Sequence, residues 1–206
     1  MGSEMCISDR YWVLSVTETE TFSSFAAIPF GEKLERKGKC ELKGTRHNGR
    51  SGKDGVYNPL HNDRRFDPEH SEHIDNERVR QNIYWDCYQG YTTMEDRGKE
   101  DNFSFSQIEM AYYSEHYSDY VINQNKRHEK ARHPDRCKGV EEILKNKKTC
   151  PEESIYQLGT IDNHASGETL IRVFDEFKKE FDERFGSNVH IIDWSLHMDE
   201  STPHIH

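Results

Sequence analysis

The clearest hydrophobic periodicity lies between Gly167 and Phe185, where Leu170, Val173, Phe174, Phe177, Phe181 and Phe185 recur at spacings of three and four. That stripe predicts an amphipathic helix facing a core, with Gly186 as its stop. Directly afterwards the period drops to two. From Val189 to His197, the apolar Ile192, Trp194 and Leu196 alternate with Asp193, Ser195 and His197. This predicts a strand with one face on a core and the other lining a polar site. Upstream, Ile108, Tyr112, Tyr113, Tyr117, Tyr120 and Val121 follow a helical spacing behind a capping-box pair, Ser106 and Glu109. His133-Pro134 ends that helix near Arg132.

The shorter periods predict a strand around Asn82 to Cys87 after a helix start or turn, a second helix over Val140 to Lys147, and a strand over Ser154 to Leu158. Tyr11 to Val16 reads as a strand, but no period follows it through Lys43. Gly44 to His73 is crowded with Gly, Asn, Asp, His and Arg, which predicts a long polar loop, functional because of its histidines. Strands separated by helices imply an α+β fold: an antiparallel sheet with helices on one face and the other face open.

Composition narrows the function. The 206 residues are 33% hydrophobic with a mean hydropathy of -1.04, low for a compact fold. A net charge of -10 argues against a protein that coats nucleic acid indiscriminately, so any DNA contact must be local. One patch has the right sign: residues 126–148 carry nine lysines and arginines against four acids, as fitting for a solvated helix face as for phosphate. Cys6, Cys40, Cys87, Cys137 and Cys150 are odd in number and widely spaced, as expected of reduced thiols in a cytoplasmic protein. No stretch reads as a signal peptide or membrane segment, so a cytoplasmic location is expected.

The last ten residues carry the chemistry. His204 and His206, two apart in a strand, project to one side of a sheet, and a reversal over Asp199 to Pro203 lays His197 beside them. Three imidazoles then converge as ligands of one divalent metal, leaving positions open for a phosphate or carbonyl. Glu200 is assigned to the site, to orient a ligand, donate to the metal or move a proton, and Asp199 to the turn. A second constellation is Arg46-His47-Asn48-Gly49-Arg50, followed by His61 and by His73-Ile74-Asp75, Arg78, Asn82 and Tyr84. His61, His70, His73 and His133 are expected in loop or DNA-facing roles rather than as ligands.

Taken together, these motifs resemble the MobV-type relaxases, the plasmid mobilisation or recombination (Mob/Pre) enzymes. His197-x-Asp199-Glu200-x-x-Pro203-His204-x-His206 is similar to that family's metal motif. His47-Asn48-x-Arg50 is similar to its first motif, and Ile74-Asp75-x-x-Arg78 with Asn82 and Tyr84 to its second. The resemblance spans residues 44–206 as a relaxase catalytic domain of the histidine-hydrophobe-histidine type, with 1–43 a divergent N-terminal segment.

The resemblance implies an endonuclease and DNA strand transferase. It would nick single-stranded or supercoiled plasmid DNA at an origin of transfer, stay attached to the 5′ phosphate and rejoin the ends. His47 would be the nucleophile and Arg50 would neutralise charge on phosphorus. His197, His204 and His206 would hold Mn2+ or Mg2+, with Zn2+ also compatible. Tyr57 and Tyr84 are the runner-up nucleophiles. Because the family continues past the third ligand, a domain incomplete at its C-terminal end is expected. An inactive DNA-binding remnant and a metal-dependent hydrolase of another substrate are the competing readings.

Overall fold

A computed structural model describes residues 13–14, 42–49, 57–65, 74–99 and 101–206. In chain order the elements are β1 (Val13–Leu14), β2 (Leu42–Gly49), α1 (Pro59–Asn62), β3 (Ile83–Asp86), β4 (Gly90–Thr93), α2 (Met94–Arg97) and α3 (Phe105–Lys130). They continue with α4 (Val140–Leu144), β5 (Glu153–Thr160), β6 (Asn163–His164), α5 (Gly167–Phe185), β7 (Asp193–His197) and β8 (His204–Ile205). The strands form one antiparallel sheet in the order β1-β2-β5-β8-β7-β3-β4, with β6 folded back on the end of β5. The fold class is α+β, as the pattern implies.

The phenylalanine stripe of α5 builds the core. Leu170 and Phe174 pack on Leu158, Trp194, Leu196 and Ile205, all from the sheet face opposite Ser195 and His197. Phe174 meets Trp194 edge-on at 5.2 Å between ring centroids and Tyr156 at 5.4 Å. Contacts of this kind, together with area burial, hold the helix against the sheet.

The opposite face is open only in part. Tyr84 of β3 is fully buried there against Phe105 in the first turn of α3, with the Arg97 guanidinium over both rings at 4.6 and 4.4 Å and paired to Asp63. Helical cover therefore comes from α5 on one face and from the start of α3 on part of the other. The β2–β5–β8–β7 part of that second face carries the polar site.

Several boundaries move from their expected places for identifiable reasons. Residues 44–49 form most of β2 instead of a loop: Gly44 to Gly49 pair in register with Leu158 to Glu153 of β5, and a long-range ladder overrides weak local propensity. The strand expected from Val189 begins at Asp193, where the pairing with Asp86 of β3 begins. The helix expected over 140–147 shortens to Val140–Leu144. The N-cap of α3 is Ser104 with Gln107, two residues before the expected pair, which lets Phe105 and Ile108 enter the core. Among the described residues no helix is long and apolar enough to cross a membrane.

Glu109, freed from a capping role, is buried and accepts a hydrogen bond from the Tyr57 hydroxyl. Burial pushes its carboxyl up to about 7, with the Tyr57 bond opposing and the charge of Glu153 adding. A folded value above the ordinary 4.5 means that this group contributes stability below about pH 4.5 that is lost as pH rises through about 7. Glu109→Gln should remove that dependence: its melting temperature relative to the parent should rise between about pH 5 and pH 8, read by thermal denaturation at both.

Candidate metal centre

The hairpin from β7 to β8 brings the terminal histidines together. Leu196 pairs with Ile205 and His197 with His204, and the ladder extends to reciprocal backbone bonds between Ser195 and His206. Strand alternation then turns Ser195, His197, His204 and His206 to the same face. The ring centroids of His197, His204 and His206 lie 4.7 to 5.3 Å apart in pairs.

The hydrogen-bond partners fix the tautomers. A carbonyl oxygen only accepts, so the Asn62 carbonyl, 3.0 Å from His197 Nε2, makes that nitrogen the N–H. Likewise His204 Nδ1 donates to the Thr202 carbonyl at 2.8 Å, and His206 Nδ1 lies 2.5 Å from the Glu153 carboxylate. In the rings of His197 and His204 the other nitrogens, His197 Nδ1 and His204 Nε2, are therefore the lone-pair atoms. His197 Nδ1 is buried without a hydrogen-bond partner, and His204 Nε2 faces His206 Nε2 at 3.0 Å. Two facing ring nitrogens, and a buried third without a hydrogen-bond partner, are donors that a cation could use.

Electrostatics point the same way. Burial holds the His197 imidazole well below its ordinary value, helped by the Arg64 and His206 charges, and burial also lowers His204. Both stay neutral, as metal ligands must be. Glu200 Oε1 lies 3.9 Å from His197 Nδ1 and Glu200 Oε2 lies 3.8 Å from His204 Nε2. Burial pushes its carboxyl up, but hydrogen bonds from His61 and Arg64 outweigh this and leave it at about 2, so it is an anion. Among the described residues, the cluster sets the carboxylates of Asp199, Glu200 and Glu153 against the guanidinium of Arg64, with that of Arg78 on the Glu200 carbonyl. That balance favours a divalent cation.

Two sets of side chains bring potential ligand atoms within 4.8 Å of one another: His61, His197 and His206, and His197, Glu200 and His204. Either could hold a metal ion, and His197 is common to both. His61 is thus a candidate ligand, contrary to the loop or DNA-facing role expected for it. Pro59 starts α1 and Asn58 caps it, and this short helix lifts the imidazole over the cluster. The side chains of His61 and Glu200 retain 25% and 21% exposure, which makes their edge the way in.

The turn that carries Glu200 is braced from two sides. The Asp199 side chain, fully buried, receives Arg64 through Nε and Nη2 at 2.8 Å each and Asn82 Nδ2 at 2.9 Å. Asn82 Oδ1 accepts from the Met198 amide, Asp75 donates its amide to the Asp199 carbonyl, and Arg78 donates to the Glu200 carbonyl. Asp199 does more than shape the turn: it ties the turn to Arg64. Arg64 and Glu153 were not among the residues expected in the site. Arg64 sits in a left-handed conformation with φ 52°, which no periodicity announces.

Of the other expected residues, His47 lies in β2 with its backbone opposite Ile155. Arg50, His70 and His73 lie outside the described residues. His133 precedes the 3-10 turn beyond α3, on an exposed surface. Tyr84 is a core residue whose hydroxyl burial pushes up to about 12, and Tyr57 is engaged with Glu109, its hydroxyl also raised by burial. Neither is presented as a free nucleophile.

Residues 114–206 match the family model described as plasmid recombination enzyme. Over that segment, a little under half of its length, the chain is similar to the plasmid recombination family. The match runs from within α3 through β8 and includes His197, Glu200, His204 and His206, but not His47. No curated protein and no solved structure matches the chain.

Two substitutions test this arrangement. Arg64→Met leaves the buried Asp199 charge without its cation and should destabilise the fold by about 3–5 kcal/mol in urea titrations. Glu153→Gln removes the carboxylate behind His206 and should weaken Mn2+ binding about 10- to 100-fold by isothermal titration, with the fold unchanged.

Proposed function

We propose that this chain is a metal-dependent DNA strand transferase that nicks and rejoins one strand of plasmid DNA at an origin of transfer. The observation that carries the reading is the packing of the His197, His204 and His206 rings beside an anionic Glu200, within the segment that matches the plasmid recombination family. A divalent metal held by His197, His204 and His206, with Mn2+ or Mg2+ the family's preference and Zn2+ compatible, would supply charge stabilisation for the nonbridging phosphate oxygens. With its carboxyl held at about 2, Glu200 serves as a ligand or orienting anion instead of a proton donor.

His47 is the proposed nucleophile. Extending the β5–β8 register by one pair sets Ile155 opposite His206, so His47, Ile155 and His206 occupy one cross-strand row. That puts the His47 backbone two strand spacings, roughly 10 Å, from His206, the gap that a scissile phosphate would occupy. An imidazole nitrogen of His47 attacks phosphorus in line, a phosphoramidate to the 5′ end forms, and the 3′ oxygen departs. Arg50, three residues on, would neutralise the charge that builds on phosphorus.

The test is incubation with Mn2+ and single-stranded origin DNA, followed by denaturing electrophoresis. A covalent protein–DNA species that is acid-labile and alkali-resistant should form, and His47→Ala should abolish it. An adduct that survives in His47→Ala, or that vanishes in Tyr57→Phe instead, overturns the assignment. Turnover of a non-DNA phosphoester without any adduct would make the protein a hydrolase.

A further inference from the structure

A basic stretch of this acidic chain is gathered at the far end of α3 and in the segment that returns to α4. Residues 126–148 hold nine of the 28 lysines and arginines but four of the 38 acids, which leaves 19 cations against 34 acids elsewhere. At about 1.5 Å per residue, the 26 residues of α3 extend roughly 39 Å. α3 packs on α1, which carries His61, and on β7, and Val121 is its last buried residue. Lys126, Arg127, Lys130, Arg132, Arg136 and Lys138 are exposed there, and among the described residues none of the six forms a salt bridge.

The tip is held in shape. Asn125 Nδ2 donates to the Lys138 carbonyl at 2.8 Å while Asn125 Oδ1 accepts the Lys138 amide at 3.0 Å, and Tyr113 donates its hydroxyl to the Thr149 carbonyl. Arg132 adopts φ 63°, the left-handed conformation at a helix end that glycine takes far more readily, so a guanidinium stands where glycine would be the easier choice. The helix dipole accounts for cations in the last turn of α3, Arg127 and Lys130, but not for Arg136 and Lys138 beyond it.

What such a surface recognises follows from what it lacks. Residues 126–148 contain no Phe, Tyr or Trp, and the imidazoles of His128 and His133 are the rings they offer an unpaired base. Lysine and arginine alone read phosphates, with no sequence information. On a chain of net charge -10, a polyanion is steered to regions of opposite sign, and this exposed tip is one of them. We propose that this basic tip grips the phosphate backbone of duplex DNA, independently of sequence, and so positions the duplex that flanks the strand handled at the histidine cluster. This rests on reading that cluster as a DNA-processing site.

The test is fluorescence anisotropy with a labelled duplex of arbitrary sequence in EDTA, where no strand chemistry can occur, across about 50 to 200 mM NaCl. Lys126→Gln/Arg136→Gln/Lys138→Gln should raise Kd about tenfold or more and flatten the slope of log K against log salt by about two to three. Lys99→Gln/Arg172→Gln/Lys179→Gln, which removes equal charge elsewhere, should leave both near the parent values. Lys126→Arg/Arg136→Lys/Lys138→Arg, which keeps the charge, should bind as the parent does. A tip variant that behaves like the control, a parent that binds no duplex, or a parent that prefers anionic vesicles overturns the proposal. A tip-dependent affinity without a covalent adduct would leave the grip standing and remove the strand-transfer reading, whereas an adduct with tip-independent affinity would do the reverse.

Discussion

The buried carboxylate of Asp199 is the interaction on which the site depends. It has no exposure and is answered by two guanidinium hydrogen bonds from Arg64 and one from Asn82. A buried charge must be paired or it costs several kcal/mol, so these three residues hold one another in place. They come from three separate parts of the chain: the loop after α1, the start of β3 and the β7–β8 turn. Arg64 also reaches Glu200, and Asn82 also holds the Met198 amide. One ionic contact thus locates the turn, and the turn locates His197 and His204 on either side of it.

From that anchor the division of the sheet follows. One face of β5, β7 and β8 is apolar and lies under the phenylalanine stripe of α5. The other presents imidazoles, whose outer nitrogens are committed to the Asn62 and Thr202 carbonyls and the Glu153 carboxylate. Those commitments leave the inner nitrogens of His204 and His206 facing one another, with His197 Nδ1 buried and without a hydrogen-bond partner. The rigid core on one side of the same strands limits how far the rings can move apart, which is the condition a metal site places on its scaffold.

Sequence periodicity was informative where a single element could reveal itself. Gly167–Phe185 is a helix over its full expected length because its stripe is long and phased, and Asp193, Ser195 and His197 share a face because alternation in a strand is geometric. The grouping of His197, His204 and His206 was also legible, since all three lie in one hairpin. Arg64 and Glu153 were not. Arg64 is tied to the turn through Asp199, 135 residues away along the chain, and Glu153 to His206, 53 residues away, and neither sits in a pattern that marks it as special.

β2 shows the same limit from the side of the fold. Leu-Lys-Gly-Thr-Arg-His-Asn-Gly has the composition of a loop, yet it is a strand because β5 offers it a complete ladder. His61 reads as one more loop histidine until α1 sets its ring 5.5 Å from that of His197. By itself the sequence determined the α+β class, the core helix, the polar face of β7 and the hairpin that gathers the three histidines, because periodicity and short-range turns are properties of neighbouring residues. Which distant carboxylates, arginines and carbonyls would complete the site was decided only by the tertiary structure, because charge pairing and strand pairing depend on residues that the linear order keeps apart.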